Sequence, residues 1–219
     1  MVRRLVFLAC LGLACTLRGD GERMQEEREL PGFTVVEVFN NFVTTVVVDP
    51  ALAADAPVDL TVSADGNALR RILTVLHGEA TLSISVDPNL STRLSLTAAI
   101  DLTVPALRRG YATDATVLEV IGAQGELSLE ARESANLSLS GGQGVTLTAA
   151  AHERATLILA GDGPTLTLEA HDAATIDAHE FRAAAVTVYA RGEGDIRVCA
   201  TESITIRGAG AEFVSLDCG

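Results

Sequence analysis

The segment Ala155–Ala170 reads ATLILAGDGPTLTLEA, and it decides the fold. Two short runs that alternate between polar and apolar residues, TLIL and TLTL, flank a tight Gly161-Asp162-Gly163 turn. An alternating run of four residues buries one face of a strand and is not stable by itself. Because nearly the same pattern recurs before and after this segment, each copy can cover the apolar face of the next.

Glycine turns separate the copies at a recurring spacing. Successive turns are 19, 20, 31 and 16 residues apart and begin at Gly122, Gly141, Gly161, Gly192 and Gly208. The 31-residue step contains a further strand signal, Thr175–Asp177, whose glycine turn is replaced by His179–Arg182. A period of about 20 residues is typical of solenoids, and glycine supplies the backbone conformations that tight corners need.

These features predict an all-β fold, a right-handed parallel β-helix. Each coil of about 20 residues holds two strands and glycine corners. Strands of successive coils then pair about 4.8 Å apart, and inward Leu, Val and Ile side chains form columns of like residues. A β-sandwich is the alternative, because it also uses short strands and glycine turns, but the recurring period favours the β-helix.

The N-terminal part of the domain is less regular than the C-terminal part. We expect residues 32–110 to form an irregular cap and the first coils, and residues 111–219 to form the regular repeats of the same single domain, 32–219. Asn67–Val75 is compatible with either a short helical cap or a strand, and Leu94–Leu96 predicts a strand.

The first residues are typical of an export signal. Arg3 and Arg4 precede an apolar run, Leu5–Leu13, that is too short to span a bilayer. The run ends in Leu-Gly-Leu-Ala-Cys, which resembles the lipobox of bacterial lipoproteins. We therefore predict a lipoprotein-type signal peptide over residues 1–14 and a lipid on Cys15. An ordinary secretory signal is the alternative.

Residues 15–31 are polar and highly charged, without a periodic apolar face, and predict a flexible tether. The residue after Cys15 is Thr16, whereas an Asp at this position would favour retention at the inner membrane. By analogy with lipoproteins, we expect an exported outer-membrane lipoprotein, held in the outer membrane by its lipid anchor and facing the periplasm or the cell surface.

Four cysteines have separate expected roles. Cys10 lies in the signal peptide and Cys15 would carry the lipid. Cys199 and Cys218 remain as an even pair in an oxidising compartment, which predicts a disulfide that closes the C-terminal coil. A metal or redox role is the alternative, but it is disfavoured because neither cysteine belongs to a CxxC motif.

The charge balance limits the possible partners. The formal net charge is −13, all 16 basic residues are Arg, and removal of Arg3 and Arg4 with the signal would make the charge more negative by two. Such a surface repels phosphate backbones, so we expect no nucleic-acid binding. The acidic residues also keep an aromatic-poor β protein soluble.

Histidine followed by an acidic residue recurs with the period of the coils. His152-Glu153 and His171-Asp172 are 19 residues apart, so a β-helix would stack them at one corner beside Arg132. His152, His171, Glu153 and Asp172 are thus candidate ligands of a divalent metal. We favour a solvated corner without metal, because ligation needs a geometry that sequence phase alone does not supply.

Motifs of catalysis and cofactor binding are absent from the sequence. It contains no G-x-S-x-G elbow, no HExxH, no Walker A motif and no Rossmann fingerprint in a strand–turn–helix context. We therefore predict no catalytic residues and no cofactor.

Several landmarks occur in a fixed order along residues 32–219. They are Gly32-Phe33, Asn67-Ala68-Leu69, Gly78 before Leu82, Pro105-Ala106-Leu107 and the glycine corners. In these features the chain resembles the autotransporter-adhesin head family, the GIN domain of bacterial exported proteins. The resemblance implies a β-helix of two facing sheets, related in shape to pectin lyases without their catalytic residues, and a role in adhesion.

Together these features predict a non-catalytic exported lipoprotein module, adhesin-like, that binds a surface or acts as a spacer. A cell-surface glycan, a cell-surface protein and a second copy of the chain are the expected kinds of partner. The alternative is a carbohydrate-active β-helix enzyme, a lyase or hydrolase of acidic polysaccharide. An enzyme needs a cleft with convergent carboxylates, whereas a binding module needs only an exposed face or edge.

Overall fold

The computed structural model describes residues 19–78, 80–87 and 98–218, which are mostly β-strand. The strands are β1 Arg23–Leu30, β2 Val35–Val38, β3 Val43–Val48, β4 Val58–Asp65, β5 Ile72–His77, β6 Thr81–Val86, β7 Ala99–Val104, β8 Arg109–Ala112, β9 Val117–Ile121, β10 Gln124–Ala131, β11 Asn136–Ala151, β12 Thr156–Asp172, β13 Thr175–Gly192, β14 Ile196–Arg207 and β15 Val214–Leu216. One helical turn, α1 Gly66–Leu69, and a 3-10 helix, Ala211–Phe213, complete these elements. Neither is long and apolar enough to cross a membrane, and the described ranges hold no other helix that is.

The strands form two parallel stacks, as the repeat pattern predicts, and the β-solenoid fold is confirmed. The front sheet runs in the order β6, β2, β8, β10 and then the C-terminal halves of β11 to β14. The back sheet runs in the order β7, β3, β9, the N-terminal halves of β11 to β14, and β15. Each of the four long strands therefore passes from the back sheet to the front sheet at a glycine corner or its equivalent.

Like residues form the predicted columns inside the solenoid. In the back sheet, successive coils place five inward residues in register, each at most 1% exposed: Leu118, Leu137, Leu157, Ile176 and Ile196. In the corner where a glycine turn is missing, Phe181 pairs with Gly161 of the preceding coil and is fully buried. The aromatic ring occupies the interior where the two preceding coils have Gly142 and Gly161.

The corner from the front sheet to the back sheet is built without glycine in most coils. Asp114, Glu133, Glu153 and Asp172 each have a φ between 60° and 63°, in the left-handed region. The carbonyl of each accepts a hydrogen bond from the coil that follows, at 2.8–3.0 Å. These four residues, which we call the left-handed ladder, therefore hold consecutive coils together through their backbone.

The N-terminal coils do not stack in chain order. β2 lies between β6 and β8, and β3 lies between β7 and β9, so the first coil of the chain is the second in space. Antiparallel strands and α1 close this end, because α1 connects β4, which lies between β7 and β1 in the back sheet, to β5 at the edge of the front sheet. The ambiguous segment Asn67–Val75 contains parts of both α1 and β5, and Leu94–Leu96 lies outside the described residues.

The expectation of a flexible tether over residues 15–31 is wrong for β1. All eight residues of β1 pair antiparallel with β4. Arg28 donates hydrogen bonds to the carbonyl of Ile72 at 2.9 Å and to Oγ1 of Thr74 at 3.1 Å, which fastens the strand to β5. Charged side chains suit an exposed edge strand, so a polar composition does not by itself indicate disorder. Residues 1–18 lie outside the described residues.

A disulfide closes the last coil in the structure. Sγ of Cys199 in β14 and Sγ of Cys218, two residues after β15, are 2.13 Å apart. The bond ties the end of β15 to the coil beneath it.

Replacing both Cys199 and Cys218 by Ala should lower the free energy of unfolding by about 3 kcal/mol, because the bond closes a loop of about 20 residues in the unfolded chain. For a chain of this size the melting temperature should then fall by about 6–12 °C. In the unreduced, denatured wild-type chain, thiol labelling should modify neither cysteine. Labelling of both would contradict the pairing.

Candidate functional site

The histidine corner is a column of four basic or titratable side chains along the solenoid. Ala131, Ala151 and Ala170 are in register, and the residue after each is Arg132, His152 or His171. The rings of His152 and His171 stack with centroids 4.6 Å apart and an interplanar angle of 14°. Arg191 pairs with His171 in the following coil and continues the column.

Glu130 lies beside this column and joins two arginines. Its Oε1 accepts a hydrogen bond from Nε of Arg132 at 2.7 Å, and its Oε2 accepts one from an Nη of Arg109 at 3.0 Å. Burial raises the pKa of Glu130, but the hydrogen bonds and charges of Arg132 and Arg109 outweigh burial, so the pKa lies below its ordinary value. Glu130 is therefore an ionised partner of two arginines and is not poised as a general acid.

His152 is held in its neutral form more strongly than a free histidine. Burial, the neighbouring His171 and the charge of Arg132 lower its pKa, in that order, and Glu130 and Glu169 oppose this effect only in part. Nε2 of His152 lies 3.9 Å from Oε1 of Glu130. A lowered pKa in the folded state means that the unfolded chain binds the proton more readily.

The stabilisation from neutral His152 is therefore present above the ordinary histidine pKa of about 6.5 and is lost as the pH falls below it. We expect His152→Gln to reduce the fall in melting temperature between pH 7.5 and pH 5. His77→Gln, at an exposed position on β5, is the control. If the melting temperatures of His152→Gln and wild type fell equally with pH, neutral His152 would not be the source of the loss of stability.

The structure does not assemble the proposed metal ligands. Glu153 and Asp172 belong to the left-handed ladder, where the backbone conformation of each residue forms the corner. Over the described ranges, no group of three or more His, Cys, Asp and Glu side chains is arranged to hold a metal ion. His152 and His171 do lie together, as their spacing predicts, and their nearest acidic partners are Glu130 and Glu169 instead of the adjacent acids.

A second polar cluster lies on the back sheet and was not predicted from the sequence. Asp177 accepts hydrogen bonds from Arg197, its partner in the next coil, and from Nδ1 of His179 at 2.5 Å. The spacing of Asp177 and Arg197 could have predicted this contact. The two residues are 20 positions apart, so they occupy the same position in successive coils. Asp177 is fully engaged with these two side chains, which makes the cluster a link between coils.

The outer surface of the front sheet carries two parallel columns of hydroxyl side chains, which we call the hydroxyl columns. One column is Ser128, Thr148, Thr167, Thr187 and Thr205. The other is Thr146, Thr165, Ala185 and Ser203, in which Ala185 is the one member without a hydroxyl. All these residues are exposed or half-buried. Within the coils of β11 to β14 the columns carry no charge, at about 4.8 Å per step, on a chain whose formal net charge is −13. In the coils before β11, Glu126 and Arg109 are the charged residues in register with Thr146 and Ser128. The neighbouring outward column is also partly charged: Glu130, Ala150, Glu169, Tyr189 and Arg207.

The stacked parallel coils define the class of protein, which is a β-solenoid. Residues 32–214 match the family described as "Putative auto-transporter adhesin, head GIN domain". The chain belongs to this family, so the resemblance seen in the sequence is confirmed. No functionally curated protein is detectably similar in sequence.

Solved structures share the fold at low sequence identity. A "putative adhesin" from Bacteroides fragilis is 19% identical with a TM-score of 0.68, and the match covers 92% of this chain and 95% of that one. A "putative adhesin" from Parabacteroides merdae is 11% identical with a TM-score of 0.60, over 92% and 98% of the two chains. A "putative lipid binding protein" from Parabacteroides distasonis is 14% identical with a TM-score of 0.61, over 93% and 99%.

Proposed function

We propose that this protein is an exported, lipid-anchored, non-catalytic module that binds a cell-surface glycan or protein through the hydroxyl columns. The observation that carries the proposal is the regular, uncharged part of the hydroxyl columns in β11 to β14, on the front sheet of an acidic chain. Two further findings support the same function: the chain belongs to a family described as an adhesin head, and two structural neighbours are named as adhesins.

The physical basis is the match between a rigid periodic surface and an extended ligand. Hydroxyl groups both donate and accept hydrogen bonds, and a ligand that covers the columns within β11 to β14 desolvates no ionic group of the columns themselves. A β-solenoid presents these groups with little loss of conformational freedom on binding, because their strands are already paired on both sides in the middle coils.

Charges introduced into the hydroxyl columns test their role. The double variant Thr167→Glu and Thr187→Glu should lower binding to a glycan array and to immobilised matrix proteins by at least about tenfold, because both carboxylates would be desolvated under a ligand. The matched control is Ser138→Glu, at an outward position of the back sheet. Unchanged binding by the double variant would show that another surface binds.

The anchor needs a separate experiment, since Cys15 lies outside the described residues. Cys15→Ser should move the chain from the membrane fraction into the soluble fraction and remove the mass of the lipid from its N-terminal peptide. Membrane association that survives the substitution would contradict lipidation at Cys15. The binding proposal does not depend on this outcome, because the hydroxyl columns are present without the lipid.

A further inference from the structure

The two ends of the solenoid differ in how they terminate the core. At the N-terminal end, α1 and β5 cover the columns, and Ala68, Leu69 and Ile72 are at most 5% exposed. Solenoids need such terminal caps, because an open coil exposes both apolar side chains and unpaired backbone groups.

The C-terminal end has less cover: the 3-10 helix Ala211–Phe213 contacts β13 and β14 there, with Phe213 half-buried, but apolar side chains of the described residues stay exposed. Ile204 and Ile206 stand in register above Val186 and Val188, which are 2% and 0% exposed, yet Ile206 itself is 36% exposed. In the back sheet Leu216 stands above buried Val198 and is 63% exposed. The columns of the core therefore end at a partly open surface.

Backbone groups at this end are also unpaired. Ser203–Arg207 pairs with β13 on one side, and no described strand pairs with its other edge. β15 pairs only with Ile196–Val198 and leaves its own outer edge free. We call the two edges, Ser203–Arg207 and Val214–Leu216, the terminal edge.

We propose that the terminal edge is a dimerisation surface on which a second copy of this chain docks end to end, with Ser203–Arg207 paired antiparallel to itself about a two-fold axis at Thr205. This pairing places Ile204 opposite Ile206 of the second copy and Ile206 opposite Ile204. The apolar columns of both copies then continue into each other, and the front sheet becomes continuous.

The side chains of the terminal edge favour a second copy over a different partner, because the pattern complements itself. Centred on Thr205, the pairing opposes Thr205 to Thr205 and Ser203 to Arg207, so no two like charges face each other across the strands. An isologous contact of this kind closes after two copies. Docking against the N-terminal end of another copy would instead place Val214–Leu216 against the three Glu residues and two Arg residues of β1, and Ser203–Arg207 against β5.

The experiment uses the full chain in a mild detergent, with the mass of the assembly measured by sedimentation at protein concentrations up to about 100 µM. Wild type should be a dimer. Ile206→Lys should raise the dissociation constant by at least about thirtyfold, since it removes an apolar contact and opposes two new charges near the axis. Ile158→Lys, at a 53% exposed position in the middle of the back sheet, is the matched control and should remain dimeric.

Cross-linking checks the register independently. Thr205→Cys should form a disulfide-linked dimer on oxidation, because residues directly opposed on antiparallel strands are within the range of a disulfide. Thr167→Cys, in the same column two coils away, should not exceed the background of the parent chain. A monomeric wild type, a dimer unaffected by Ile206→Lys, a longer head-to-tail assembly, or absence of the Thr205→Cys cross-link would each overturn the proposal.

Discussion

Leu157→Asp should abolish folding. Leu157 is fully buried in the middle of the back-sheet column, between Leu137 and Ile176. The substitution removes a buried leucine, which costs about 2–5 kcal/mol, and places an unpaired carboxylate where its desolvation costs several kcal/mol more. The sum is comparable to the whole stability of a typical domain, about 5–15 kcal/mol.

The measurement is thermal unfolding followed by circular dichroism, in which the variant should show no cooperative transition. Ile158→Asp is the control, because Ile158 follows in the same strand and points outward with 53% exposure. That variant should unfold close to wild type. A folded Leu157→Asp chain would show that the columns do not carry the stability of the solenoid.

Gly163→Ala should destabilise the chain by about 3 kcal/mol or more, the upper range for overpacking. A Cβ at Gly163 would lie 1.9 Å from the carbonyl oxygen of Val145 in the preceding coil. The contact is with backbone, so the two coils would have to separate at this corner. The melting temperature should fall by at least about 6 °C.

Gly125→Ala, compared with Gly163→Ala, distinguishes the effect of close contact between coils from the effect of the glycine backbone conformation. Gly125 has a φ of +73°, but a Cβ there would meet nothing within 4 Å. Its substitution should therefore cost only the left-handed penalty of about 1–2 kcal/mol. If Gly125→Ala were as damaging as Gly163→Ala, backbone conformation and not the distance between coils would explain why these corners contain glycine.

The solenoid could be predicted from the sequence because its signals are local and repeated. The alternating runs around Gly141 and Gly161 fix which residues face inward, and their period fixes which residues of neighbouring coils pair. The same phase predicts that His152 stacks on His171, which the structure places 4.6 Å apart between ring centroids.

The remaining features depend on contacts that the sequence pattern does not encode. The insertion of β2 and β3 between later strands could not be predicted, because short alternating runs are equally compatible with several neighbours. β1 resembles a tether in composition, and only its pairing with β4 makes it a strand. The role of Glu130 could not be predicted, because it depends on Arg109 of the preceding coil as well as on the nearby Arg132.

The most direct test of the central claim, that this solenoid binds a surface ligand without chemical turnover, measures binding and polymer length together. The intact chain is immobilised and exposed to soluble cell-surface and acidic polysaccharides, and the retained and released material is sized by chromatography. We predict saturable retention of at least one polysaccharide or, on a parallel protein array, of a surface protein, with polymer length unchanged. Shortened polymer would contradict the claim in favour of an enzyme, and the absence of retention on both arrays would contradict a binding role.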